Sequence, residues 1–105
     1  MSKFAEDLLS SIKLTLRETS DNFDSEIKDY IDTCADDLQN AGILSSYFRD
    51  GDSVDSQIKQ AIRWYCLGTF GLYNSDMEKY RQAYHSLKST LCTQSKYTEE
   101  QDGIQ

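Results

Sequence analysis

Proline is absent from all 105 residues, where ordinary usage of about 5% supplies roughly five. No helix in this chain is therefore broken by a pyrrolidine ring. Long apolar runs are missing too. Nothing approaches the roughly 20 residues of a membrane span, and Met1-Ser2-Lys3-Phe4-Ala5-Glu6-Asp7 lacks the apolar stretch of a secretion signal. Cysteine is sparse and dispersed. Cys34, Cys66 and Cys92 form no Cys-x-x-Cys pair, so they read as buried thiols of a reducing compartment rather than a disulfide frame or zinc site. Positive charge is short: 11 Lys and Arg stand against 18 Asp and Glu, a net charge of −7. That balance counts against a grip on nucleic acid, which needs cations to neutralise phosphates. The length allows one domain, and a chain of this size buries roughly 65% of the surface it exposes when unfolded. One modest core is expected, without a large enzyme cleft. Seven Tyr, four Phe and one Trp are too many for a disordered acidic tail. A soluble, intracellular, single-domain protein is the expectation.

What is present is helical spacing. Ala5, Leu8, Leu9, Ile12 and Leu16 fall on one face at 100° per residue. Polar residues 17–22 break the pattern. Asp24 is placed to cap a second helix, whose stripe is Ile27, Tyr30, Ile31, Cys34 and Leu38, with Gly42 as the residue that closes it. Residues from about 43 to 55 read as a loop rich in Ser, Asp and Gly. A third helix, from about Asp55 to Phe70, carries Ile58, Ala61, Ile62, Tyr65 and Thr69 on one face and Lys59, Gln60 and Arg63 on the other. Projected onward, the polar side acquires Leu67 and Phe70 with Trp64 on its flank, so this helix ends apolar nearly all round. Gly71-Leu72-Tyr73-Asn74 reads as a turn, and Ser75-Asp76-Met77-Glu78 as a capping box. The fourth helix is lined by Met77, Tyr80, Ala83, Tyr84, Leu87 and Leu91. The pattern predicts an all-α fold, a small bundle of about four helices over residues 1–92, with 93–105 as a disordered, flexible tail.

Charge is partitioned along this scaffold. Residues 18–55 carry a net −9 and residues 56–92 a net +3. Asp29, Asp32 and Asp36 lie opposite the apolar stripe of the second helix. They read as a solvated face, an electrostatic docking surface, or a wall that holds no DNA. Trp64, Leu67 and Phe70 read as core or as a contact between subunits.

Reactive groups are few. His85, the single histidine, lies on a flank of the fourth helix between Arg81 and Lys88. No Ser or Cys nucleophile is brought to it by spacing, so it reads as a solvated flank residue. Asp50, Asp52 and Asp55 resemble the start of a calcium loop, but the sixth position is Asp55 rather than Gly and the twelfth is Ala61 rather than Glu. An exposed loop ending in a capping Asp accounts for them. No Gly-rich phosphate loop or catalytic carboxylate pair is found, and neither catalytic residues, a metal nor a cofactor is expected.

The ordered set of packing residues resembles the phage head–tail connector family. The residues that carry the resemblance are Leu9, Ile12, Lys13, Leu16 and Arg17; then Phe23-Asp24, Glu26-Ile27, Tyr30-Ile31, Asp37-Leu38 and Ala41-Gly42-Ile43; then Asp55, Ile58, Ala61-Ile62, Tyr65, Phe70-Gly71 and Asn74; and finally Tyr80, Ala83-Tyr84, Leu87-Lys88 and Leu91. Where the family often opens its third helix with Asp-Pro, this chain has Asp55-Ser56, which gives up a pre-organised first turn.

The resemblance implies a structural head-completion adaptor of the virion, made in the host cytoplasm. Copies would close into a ring, a dodecamer matching the portal, through a heterologous contact. The ring would bind the portal protein above and the next head-completion or tail protein below, and DNA would pass through without specific binding. No membrane partner is implied. On this reading Trp64, Leu67, Phe70, Arg63, Arg81 and Lys88 form the contact with a neighbour or partner, while Asp29, Asp32 and Asp36 line the lumen or dock on those cations. The competing class is an acidic helical adaptor, or DNA-mimicking inhibitor, that sequesters a basic host protein.

Overall fold

Ser2 starts the first helix by accepting the Ala5 amide at 3.0 Å on its hydroxyl oxygen, which satisfies one of the amides left free in a first turn. The computed structural model describes residues 2–70 and 75–99. Helix α1 (Lys3–Leu16) buries Phe4, Ala5, Leu8 and Ile12. It closes on Arg17, left-handed at φ 58, where Arg17 N–H reaches the Leu14 carbonyl and Glu18 N–H that of Lys13. This two-bond closure usually falls to glycine.

Helix α2 (Asp24–Asn40) buries Ile27, Ile31, Cys34, Ala35 and Leu38. Asp24 is its first residue rather than its cap, and the position before it is Phe23, which makes no side-chain cap bond. The Asp24 carboxylate instead lies 2.7 Å from the Lys13 ammonium, which also holds Asp21 at 2.9 Å. A charged partner replaces the amide as its contact. The far end follows the sequence: Gly42, at φ 117, donates to Gln39, and Ile43 donates to Leu38, at 3.0 Å each. Ile43 and Leu38 are both buried, the apolar contact that accompanies such a closure.

The segment 43–55 is more ordered than a loop reading suggests. It holds two 3₁₀ turns, Ser45–Phe48 and Gly51–Ser53. Phe48 packs edge-on against Phe4 at 5.7 Å, and Gly51 N–H donates to Asp7 at 3.2 Å. Asp55 then caps α3 (Ser56–Thr69), accepting from the amides of Gln57 and Ile58. Helix α4 (Met77–Cys92) starts one residue later than a Ser75 cap predicts, with Asp76 before its first helical residue. Glu78 lies 3.6 Å from Arg81, an ion pair along the helix in place of the reciprocal cap. Helix α3 packs on α2 and α4. It comes close to α4 at Gly68, where a Cβ would stand 2.9 Å from Arg81 Cγ and 3.3 Å from its backbone nitrogen. The turn expected at 71–74 lies outside the described residues.

The segment from residue 93 onward, expected as a flexible tail, is helical in part. A further helical turn, α5 (Ser95–Thr98), packs on the body, and Tyr97 is fully buried. Its hydroxyl donates to Asp55 at 2.9 Å, its carbonyl accepts from Leu44 N–H at 2.8 Å, and its ring meets that of Tyr47 at 5.1 Å. The polar composition of 93–99 hides one anchor: a single aromatic with its polar tip satisfied binds a segment that has no apolar stripe. Residues 100–105 lie outside the described residues. The described elements are all helical, as the spacing predicts.

Two substitutions test this packing. Tyr97→Ala is expected to lower unfolding free energy by about 3–5 kcal/mol, the range for removing a buried aromatic. Gly42→Ala is expected to cost about 1–2 kcal/mol, because nothing surrounds the new methyl and the penalty is backbone strain alone. Urea titration followed by far-UV circular dichroism measures both.

Candidate functional site

The α2 helix divides its carboxylates by direction. Asp29 and Asp36, two turns apart with Thr33 between them, are exposed opposite the buried stripe. Neither lies within ion-pair distance of a cation among the described residues. Asp32 turns toward α1, where it accepts the Ser2 hydroxyl at 2.5 Å. So the acidic face expected as one unit comprises two free carboxylates and one that helps to fix the start of α1.

A fourth carboxylate, Asp37, lies on the other flank. It accepts the Tyr84 hydroxyl at 2.5 Å and the Lys88 ammonium at 2.9 Å, joining α2 to α4. Burial works against the Asp37 carboxylate, but hydrogen bonds from Tyr84 and Lys88 outweigh it and hold the carboxyl below its ordinary range. Burial, the nearby Cys34 and Asp37 push the Tyr84 phenol well up, so it remains a donor. Cys34 and Cys66 are buried. Burial raises both thiols, Cys66 to about 12, and at neutral pH they are protonated packing groups.

Above this clamp a cleft of about 310 Å³ opens between α2, α3 and α4. Arg81, His85 and Lys88, at helical spacing on α4, form one wall, and Thr33 and Asp37 of α2 face them. The cations here are already engaged. Arg81 donates to the Gly68 carbonyl at 3.0 Å and lies 3.6 Å from Glu78, while Lys88 is held by Asp37. The structure thus brings Arg81 and Lys88 together, with His85 between them, and sets Arg63 apart. Arg63 lies on α3 beside Gln60, whose oxygen accepts from it at 3.4 Å.

The apolar residues of α3 also separate. Trp64 stacks on Tyr80 at 5.7 Å and 19°, whereas Phe70 meets Phe23 at 5.3 Å and Tyr30 at 6.3 Å. Leu67 is half-buried, outside the side chains packed on the core. The acidic loop regroups as well: Asp55 caps α3, while Asp7, Asp50 and Asp52 bring carboxylate oxygens within 4.8 Å of one another. The Lys3 ammonium stands 2.7 Å from Asp7 and 3.8 Å from Asp50, so lysine supplies the positive charge there.

With this geometry in place, the comparison with known families is decisive: residues 8–98 match the family described as phage connector protein. The chain belongs to that family. No curated protein and no solved structure matches it. Membership makes this connector chain a structural component of the phage head–tail junction, one that associates with other head or tail proteins. No helix among the described residues is long and apolar enough to cross a membrane. The matched span runs through Tyr97, in keeping with the packed α5.

No local pattern pairs Asp37 with Tyr84 in the sequence: Tyr84 reads as a stripe residue of the fourth helix, and Asp37 enters only among the residues that carry the family resemblance. The available signal was angular, since Asp37 lies three residues from buried Cys34 and beside Leu38, at the edge of the stripe.

The clamp has a pH signature. Asp7 and Asp21, held by Lys3 and Lys13, lie below the ordinary value of 3.8, as does Asp37, held by Tyr84 and Lys88. Carboxyls lowered by folding add stability that is complete above the unfolded value and lost as pH falls through the folded one. The urea midpoint of this connector is therefore expected to fall steeply below about pH 4, while Asp37→Ala lowers neutral stability by about 1–3 kcal/mol by leaving the Tyr84 hydroxyl unpaired and makes the acid fall shallower.

Proposed function

We propose that this chain is a ring-forming head–tail connector subunit, docking on the portal on one side and on the next head-completion or tail protein on the other, and extending the channel through which DNA passes. The observation that carries this reading is the family match over residues 8–98. The chemistry of the chain supports it: the buried thiols are protonated, and the cations of the cleft are tied to its own carboxylates and carbonyl groups. A ring needs two different faces on each subunit, and the uneven charge of α2 against α3 and α4 supplies them. A net charge of −7 also suits a channel that must not hold DNA, because carboxylates offer phosphates no attractive well.

Native mass measurement with and without the cognate portal, across a salt series, tests the reading. A ring is expected on the portal, with occupancy falling as salt screens the contacts between subunits. A chain that stays monomeric beside the portal and instead binds a basic host protein tightly would replace the connector reading with that of an acidic sequestering adaptor.

A further inference from the structure

The ion pairs sort the cations of this chain into two groups. Lys3, Lys13, Lys28, Arg81 and Lys88 each have a carboxylate of the same chain within 4.0 Å. Among the described residues Arg17, Arg49, Lys59, Arg63, Lys79 and Lys96 have none. Of these, Lys59 and Arg63 lie one turn apart on α3, beside half-buried apolar side chains. That side of α3 also carries Gln60, Trp64 and Leu67, opposite the buried Ile58, Ile62 and Cys66. Lys59 and Arg63 thus flank half-buried Trp64, which packs on the core and stacks on Tyr80, and half-buried Leu67, which lies off the core. The carboxylates sort in the same way. Asp32 and Asp37 are engaged within the subunit, whereas Asp29 and Asp36 are exposed, with no cation within reach among the described residues.

These two unsatisfied sets cannot meet within one molecule. Helices α2 and α3 pack on each other and bury their stripes in one core, so the faces opposite those stripes point to different sides. Two different, complementary faces on one chain make a head-to-tail contact, the kind that closes a ring. We infer that the Asp29/Asp36 face of α2 docks on the Lys59/Arg63 face of α3 in a second copy, with Trp64 and Leu67 as its apolar centre. Arg81, Lys88 and Phe70 serve the fold of their own subunit and lie outside this contact. The inference rests on the proposed ring and specifies which surfaces build it.

The geometry makes a strict test available. Arg63→Glu alone and Asp36→Arg alone each put like charges together at every contact of a ring. Each is expected to raise the concentration needed for half-assembly on the cognate portal by about tenfold or more. An equimolar mixture of the two variants is expected to recover assembly, because in an alternating ring every contact again joins opposite charges. The same exchange in one chain, Arg63→Glu with Asp36→Arg, should also recover it. Both sites lie on outer faces, so a circular dichroism melt close to that of the parent chain shows that the fold is kept. Single variants that assemble like the parent overturn the inference, as does loss that neither the mixture nor the double variant repairs. Rings that form normally while DNA delivery falls would assign Asp36 to the lumen instead. A parent chain that forms no ring on the portal fails the connector reading itself, an outcome visible before any variant is made.

Discussion

Two tyrosine–aspartate hydrogen bonds tie together parts of the chain that lie far apart in sequence. Tyr84 of α4 donates to Asp37 of α2, and Tyr97 of α5 donates to Asp55 at the start of α3. Each phenol ring brings a large apolar area into a core that is small for lack of chain length. Its hydroxyl would cost roughly 1–3 kcal/mol if buried without a partner. An aspartate at the core edge meets that need while keeping part of its own hydration. The same aspartates do second tasks, as Asp37 binds Lys88 and Asp55 caps α3. A small helical domain thus secures its last two elements without a disulfide, and α5 without an apolar stripe of its own.

How far the sequence discloses this depends on the range of the interaction. Local rules read well: the α2 stripe, the left-handed Gly42 and the Asp55 cap all depend on residues within about five positions of one another. Positions where a local partner competes with a distant one do not. Asp24 has a free amide nearby, but Lys13 of another helix takes its carboxylate. Residues 93–99 look like a tail because their composition is polar, and no local pattern shows that Tyr97 has a pocket formed by the 43–55 segment. In each case the deciding partner is brought in by the fold.

The same limit governs the site. From sequence, cations on α3 and α4 form one basic group, and aspartates on α2 form one acidic face. The structure divides both groups by engagement. Arg81 and Lys88 are spent on Gly68, Glu78 and Asp37, and Asp32 on Ser2, which leaves Lys59, Arg63 and Lys79 among those cations and Asp29 and Asp36 on the outer face of α2. Counting charges alone overstates what is available for a partner, since a cation already paired gains little from a second carboxylate and must be stripped from its first.

If the proposed contact is the one that builds the ring, assembly and folding draw on charged groups that are separate in this chain. Groups that hold the helices together are buried or paired, and the sets left over lie on faces that the core itself forces apart. In the proposed ring, such a division would let a subunit fold before it associates, and association would need no rearrangement of the core, only concentration or a template that raises it locally. The proposed contact faces carry opposite charge on a net acidic background, so copies would attract through those two faces and repel through the rest of their surface. The same excess of carboxylates that offers DNA no attractive well would then also penalise misdirected pairings.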